Sequence, residues 1–250
     1  MNLSYELIAG RIDHALLLPT LTPAEVEAGC RTAEAYAVAS VCVKPADVAL
    51  AARVLDGSRV KVGTVIGFPH GGQATAVKQF EARTAIQDGA VELDMVINIG
   101  WARAGLWDDL AGEIRSIADL SHEAGAILKV IFENCYLDDD QKARLCGICG
   151  EVGADYVKTS TGFGSGGATE ADLILMRAHS PAHVKLKAAG GMRDLDAAVR
   201  FIEIGCDRLG TSKTVEILDS LKERLGASGN DRPDVSRETK SAPIAPGQDY

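Results

Sequence analysis

The chain contains no apolar stretch approaching the roughly 20 residues that cross a bilayer, so nothing in its 250 residues reads as a membrane-spanning helix. It also lacks any cluster of Lys and Arg, and its net charge is −9. An acidic chain without a basic patch offers no surface for nucleic acid. The opening Met1-Asn-Leu-Ser-Tyr-Glu6 has neither the basic start nor the apolar core of an export signal. The six cysteines (Cys30, Cys42, Cys135, Cys146, Cys149, Cys206) fall mostly in apolar segments, so the expectation is a cytoplasmic protein with reduced thiols. No Gly-x-Gly-x-x-Gly follows the first apolar run, which argues against an open dinucleotide-binding sheet. Cys146-Gly-Ile-Cys149 stands alone inside a helical pattern with no second pair or nearby histidine. It is expected to be a pair of buried thiols, and no metal site or cofactor is expected.

What is present is ordinary in amount and regular in order. The chain is 46% apolar and 24% charged, as in soluble enzymes. Apolar runs of strand length are read at Ile12–Leu18, Ser40–Lys44, Val60–Ile66, Val91–Ile97, Ile127–Phe132, Tyr156–Ser160, His183–Ala188 and Cys206–Leu209. Helical spacing appears between them at Pro23–Ala37, Ala74–Asp88, Leu106–Ala124, Asp138–Glu151, Glu170–His179 and Leu195–Ile204. Thr22, Asp138, Thr169 and Asp194 are placed to cap helix starts. Gly89, Gly125 and Gly153 each stand where a helix gives way to a strand. Eight such units fit an α/β fold of the (β/α)8 TIM-barrel type, whose usual length is about 250 residues. The doubly wound open sheet is the competing architecture. After Gly226 the composition turns to Ser, Pro, Gly and charge. The expected organisation is a single barrel domain, 1–226, with a mobile tail, 227–250, ending in Tyr250.

Chemistry in such a barrel gathers at the carboxyl ends of its strands. Two lysines are set in apolar runs that empty into glycine-rich turns: Lys158 in Asp155-Tyr-Val-Lys-Thr-Ser-Thr-Gly162, and Lys187 in Val184-Lys-Leu-Lys-Ala-Ala-Gly-Gly191. A buried ammonium is costly. Two that meet make each other easier to deprotonate, and a neutral amine attacks carbonyls. The alternative is that each lysine extends to solvent from a strand end. Lys185 shares a face with Lys187 by alternation and is assigned to the opposite, lower mouth of the barrel. Asp94, on one face with Glu92, is the best acid–base candidate; the two carboxylates could equally neutralise Lys129 and the other ammoniums. His70, in the loop after the third strand, is more consistent with a structural role. Three successive loops are rich in glycine, Gly162-Phe-Gly-Ser-Gly-Gly167, Gly190-Gly191 and Gly210-Thr-Ser212. They read as a phosphate site, to which Arg193 and Lys213 could add charge.

These phrases together resemble the deoxyribose-phosphate aldolases, a family of Schiff-base aldolases. The similarity lies in Ile12-Asp-His-Ala-Leu-Leu17, Ala39-Ser-Val-Cys-Val43, Val65-Ile-Gly-Phe-Pro-His-Gly71, Glu92-Leu-Asp-Met-Val96, Leu128-Lys-Val-Ile131, Val157-Lys-Thr-Ser-Thr-Gly162, Lys187-Ala-Ala-Gly-Gly-Met-Arg193 and Arg208-Leu-Gly-Thr-Ser212. The resemblance implies reversible cleavage of 2-deoxy-D-ribose 5-phosphate to acetaldehyde and D-glyceraldehyde 3-phosphate, within deoxyribose phosphate catabolism. It implies that Lys158 forms the imine, that Lys187 lowers its pKa and that Asp94 relays protons. Asp13 and Lys129 would lie in the surrounding network, and Gly162, Gly190, Gly191, Gly210 and Ser212 would hold the substrate's phosphate end. Tyr250 would act in proton transfer at the acetaldehyde methyl. It further implies a homodimer that handles small sugar phosphates and aldehydes. Ala15, Ala188 and Lys213 depart from the family pattern, which bears on substrate preference more than on the assigned chemistry. The competing functions are another Schiff-base aldolase, a phosphate-binding barrel isomerase, or a sugar-phosphate-binding module without activity.

Overall fold

The computed structural model describes residues 3–227. Eight parallel strands close into a barrel in sequence order. They are β1 (Ile12–Leu16), β2 (Ser40–Val43), β3 (Lys61–Ile66), β4 (Glu92–Val96), β5 (Ile127–Ile131), β6 (Tyr156–Lys158), β7 (Lys185–Ala189) and β8 (Arg208–Thr211). The expected TIM barrel is therefore what forms, closed by the parallel pairing of β1 with β8. The principal helices of the outer ring are α2 (Pro23–Ala35), α3 (Val48–Val54), α4 (Thr75–Gln87), α6 (Trp107–Glu123), α7 (Asp139–Val152), α8 (Glu170–His179), α9 (Leu195–Ile204) and α10 (Thr214–Ala227). Two short helices, α1 (Tyr5–Ala9) and α5 (Ile99–Ala104), complete the described elements of this kind.

The helix starts follow from side-chain capping. Thr22 and Asp138 each form a reciprocal capping box, with Glu25 and Gln141 respectively. Thr169 and Asp194 each accept one backbone N–H. Each such cap is worth about 1 kcal/mol. Gly89, Gly125 and Gly153 all have positive φ, the conformation that turns a helix back toward the next strand.

Several features depart from the sequence expectation, and α1, α5 and α10 are helices that the apolar spacing did not mark. α3 has the composition Val-Ala-Leu-Ala-Ala-Arg-Val, too short and too uniformly apolar to show a period. α10 extends to Ala227, the first residue assigned to the tail; residues 228–250, Tyr250 among them, lie outside the described residues. β6 ends at Lys158 because the Thr159 side chain takes over the ladder. Its Oγ1 donates to Ala189 O and accepts from Ala189 N, both at 3.1 Å. β8 begins at Arg208, not Cys206, because Cys206 N is still bonded to Phe201 O in the turn that leaves α9.

Alternation along each strand sorts side chains into two sets. The outward set, including Val41, Leu93, Met95, Leu128, Val130, Val157, Leu186 and Leu209, joins Cys30, Ile114, Ile117, Leu145, Cys149, Met176 and Leu218 from the helices in one continuous core. Each fully buried aliphatic side chain contributes roughly 1.5–3 kcal/mol. His14 is a polar member of the outward set of β1, with Nδ1 2.8 Å from Thr214 Oγ1 of α10. Burial lowers its pKa to about 4, so it packs as a neutral imidazole. A second buried polar contact, Lys78 with Glu113 at 2.9 Å, ties α4 to α6. Lys78 Nζ also donates to Val96 O at 2.8 Å and Glu113 accepts from Asn98 N at 3.1 Å. That network anchors the top of β4, two residues beyond Asp94.

Candidate active site

The inward set is the reverse of an apolar core. Asp13 comes from β1, Glu92 and Asp94 from β4, Lys129 from β5, Lys158 from β6, Lys187 from β7 and Arg208 from β8. All but Arg208, which is half-buried in character, have almost no contact with solvent. Strand register brings them together. Lys158 lies directly beside Lys187, and Lys187 beside Arg208, on neighbouring strands. Asp94 is paired in the same way with Lys129.

Asp94 is the hub. Its Oδ1 accepts from Lys129 Nζ at 2.9 Å, while its Oδ2 accepts from both Lys158 Nζ and Lys187 Nζ at 2.7 Å. Lys187 Nζ also donates to Asp13 Oδ2 at 2.6 Å, and Asp13 Oδ1 accepts from Ser40 Oγ at 2.6 Å and from Arg208 Nη1. Lys129 Nζ reaches Glu92 Oε2 at 2.6 Å. Arg208 spans Glu92 with two bonds, at 2.9 and 3.0 Å.

Within ion-pair distance, three carboxylates (Asp13, Glu92, Asp94) thus face four basic groups (Lys129, Lys158, Lys187, Arg208). Charge in a buried site is tolerated only when it is paired. The cluster is neutral if one of the four bases gives up its proton. Lys158 has the fewest partners, a single carboxylate.

The titration tendencies of the groups follow that count. Burial would raise Asp13 and Asp94, but the adjacent cations hold both well below the ordinary carboxylate range. Burial would lower Lys129 and Lys187, but their multiple carboxylates carry both above the ordinary lysine value. At Lys158 burial wins: Asp94 opposes it, Lys187 adds to it, and the net shift is downward. The two lysines therefore do not depress one another symmetrically, as the sequence suggested. Lys187 stays charged, and desolvation outranks its field in lowering Lys158.

A pocket at the carboxyl end of the barrel opens onto this cluster. Its lining includes Lys158, Thr161, Gly162, Gly190, Gly210 and Ser212, together with Ala15, Leu17 and Cys42. Burial, together with Asp94, pushes the Cys42 thiol up to about 11. The β6 and β7 loops touch backbone to backbone. A Cβ on Gly167 would sit 2.4 Å from Gly190 O, a contact that only glycine permits. The amino end of α10 lies two residues after Ser212, at Thr214, and the first turn of a helix has unpaired N–H groups.

The remaining candidates are placed as follows. Gly191 has φ 75° and adjoins Gly190 without lining the pocket. Lys213 Nζ lies 3.4 Å from Glu216 Oε1, so its charge is partly answered by its own helix. Arg193 and His70 are exposed. Lys185 is exposed at the start of β7, with its ammonium 5.5 Å from the centroid of the Tyr156 ring; this is the lower mouth expected for it. Cys146 and Cys149 are free, buried thiols on α7, both raised by burial. Arg208 was not legible as a site residue, because reading the last strand as Cys206–Leu209 left its inward face unread. Thr161 and Glu133 were also missed, the latter because it lies past the end of β5 with nothing in its local sequence to mark it.

Together these features define a class: a (β/α)8-barrel enzyme with its reactive groups at the carboxyl ends of the strands. The chain belongs to the DeoC/LacD family of aldolases, which it matches over residues 8–210. It is accordingly an aldolase, a carbon–carbon lyase. A deoxyribose-phosphate aldolase of Rhodopirellula baltica is 51% identical over 222 residues, covering 89% of this chain and 92% of that protein. One from Bacteroides thetaiotaomicron is 45% identical over 222 residues, covering 89% and 93%. Among solved structures, the tetrameric deoxyribose phosphate aldolase from Aeropyrum pernix aligns with a TM-score of 0.83 at 33% identity, covering 88% of this chain and 93% of that one. Among the described residues no helix is long and apolar enough to cross a membrane.

Proposed function

We propose that this aldolase cleaves 2-deoxy-D-ribose 5-phosphate reversibly to D-glyceraldehyde 3-phosphate and acetaldehyde through an imine on Lys158. The observation that carries the reading is the charge count. Lys158 is the fourth base against three carboxylates, and its pKa is lowered while its neighbours' are raised. A neutral amine at that position adds to the aldehyde carbon of the open-chain sugar, and loss of water leaves a protonated imine. The C3 hydroxyl then gives up its proton and the C2–C3 bond breaks. Its electron pair moves toward the imine nitrogen, forming an enamine and releasing the phosphorylated aldehyde. Protonation of the enamine carbon and hydrolysis free acetaldehyde and Lys158.

In this reading Asp94, with water, moves protons between these steps, since its Oδ2 is shared by Lys158 and Lys187. Asp13 and Lys129 hold Lys187 and Asp94 in their charged states. Gly162, Gly190, Gly210 and Ser212, with the start of α10, receive the phosphate through backbone N–H groups, and Gly191 supports them from just outside the pocket lining. Tyr250, outside the described residues, exchanges protons at the methyl carbon. The enzyme would act as a homodimer on small sugar phosphates in the cytoplasm, in deoxyribose phosphate breakdown.

Borohydride reduction in the presence of acetaldehyde tests the imine. The expected product is an ethyl group on the Lys158 nitrogen, located by peptide mass analysis. Absence of the adduct, or its appearance on another lysine, contradicts the assignment. Lys187→Met tests the electrostatics. With one cation gone, the cluster balances only when Lys158 keeps its proton, so the Lys158 pKa rises. Imine formation needs the neutral amine, so the rising limb of the pH–rate profile is expected to move to higher pH. At pH 7 the rate should fall about tenfold for each unit of that movement and recover as pH is raised. An unmoved limb would remove Lys187 from this role.

A further inference from the structure

Glu133 is buried just beyond β5 and has a left-handed backbone, φ 56° and ψ 64°. Among the described residues, the only other non-glycine residue with positive φ is Ala37. A left-handed glutamate is strained and persists only where its surroundings demand it. Here its carboxylate oxygens accept from Thr161 N at 3.3 Å and from the Thr161 hydroxyl. Thr161 lines the pocket beside Lys158 and Gly162.

A threonine hydroxyl has one proton and two lone pairs. The proton is committed to Glu133, and one lone pair accepts from Phe163 N at 2.9 Å. One lone pair is left uncommitted on a side chain that lines the pocket. We infer that Glu133 is a positioning residue that makes Thr161 an obligate hydrogen-bond acceptor, selecting a substrate hydroxyl over a carbonyl or phosphate oxygen at that point of the pocket. Such a hydroxyl is present on the phosphorylated aldehyde half of the substrate proposed above and absent from acetaldehyde. The inference rests on that proposed function, and it adds the reason why the acceptor aldehyde is hydroxylated.

The test is the aldol addition of acetaldehyde to two acceptors, D-glyceraldehyde 3-phosphate and 3-phosphopropanal, the same phosphorylated aldehyde without its hydroxyl. The wild-type protein is expected to prefer the hydroxylated acceptor in kcat/KM. Glu133→Ala should reduce that preference about tenfold, the scale of one ordinary hydrogen bond. Glu133→Gln, whose amide oxygen still accepts from Thr161, should restore most of it. Thr161→Val removes the hydroxyl without touching Glu133 and should lose the same preference, which keeps the test informative if Glu133→Ala does not fold. Equal losses on both acceptors would show that Glu133 only supports the loop and would overturn the inference. A preference unchanged in Glu133→Ala or Thr161→Val would overturn it too, as would a wild-type protein that does not discriminate. Borohydride trapping with acetaldehyde alone separates the two levels. No adduct in the wild type defeats the proposed function, whereas a normal adduct with unaltered acceptor preference defeats only this inference.

Discussion

Lys158→Leu is expected to lose aldol turnover by on the order of 10^4-fold or more, the scale that accompanies removal of a covalent nucleophile, while remaining as stable as the parent. The second half of that expectation is the less obvious one. Removing a charged partner from a buried ion pair ordinarily destabilises a protein strongly. Lys158, however, is the base that the cluster can spare, because the three carboxylates are already balanced by Lys129, Lys187 and Arg208. Asp94 Oδ2, which loses its bond from Lys158, retains the one from Lys187. Leucine fills much of the volume left by the aliphatic stem. Urea unfolding monitored beside the residual rate gives the answer. A fall of several kcal/mol in unfolding free energy would mean that Lys158 is a charged structural partner in the resting protein and not a neutral amine.

Asp94→Asn should produce the opposite pattern, losing both activity and stability. Asp94 takes hydrogen bonds from three lysine nitrogens through two oxygens. Asparagine keeps the shape but removes the charge, and its amide N–H groups would point at an ammonium. The expected destabilisation is about 3–5 kcal/mol, as when one member of a buried pair is removed. Against a typical total of about 5–15 kcal/mol, such a loss is visible as a large shift in the urea midpoint. Adding Lys187→Met to Asp94→Asn restores the balance, with Asp13 and Glu92 facing Lys129 and Arg208. The double variant should therefore be more stable than Asp94→Asn alone while staying inactive. If the two losses simply add, the charge count is not what organises this site.

The expected split between Lys158 and Asp94 also explains what could be read in advance. The eight-strand alternation, the capping residues Thr22, Asp138, Thr169 and Asp194, and the inward positions of Asp94, Lys158 and Lys187 are local matters. They depend on periods of two and 3.6 residues and on side chains reaching their own backbone. The errors came where local pattern and tertiary contact compete. β6 stops early because Thr159 replaces a ladder bond with its side chain, and β8 starts late because the turn from α9 holds Cys206. α3 escaped notice because seven nearly uniform apolar residues carry no periodicity.

From its sequence alone, this chain determined an aldolase-like barrel with two lysines and an aspartate on its inner face. Which lysine has its pKa lowered was decided only by closure of the barrel. A pKa responds to charges within about 4–6 Å, and the charges that act on Lys158 are Asp94 of β4 and Lys187 of β7, held in turn by Lys129 of β5 and Asp13 of β1. Lys187 and Asp13 meet across 174 positions of sequence, and Arg208 and Asp13 across 195. No window of sequence contains that sum, so the lowered pKa of Lys158 is a property of the folded barrel.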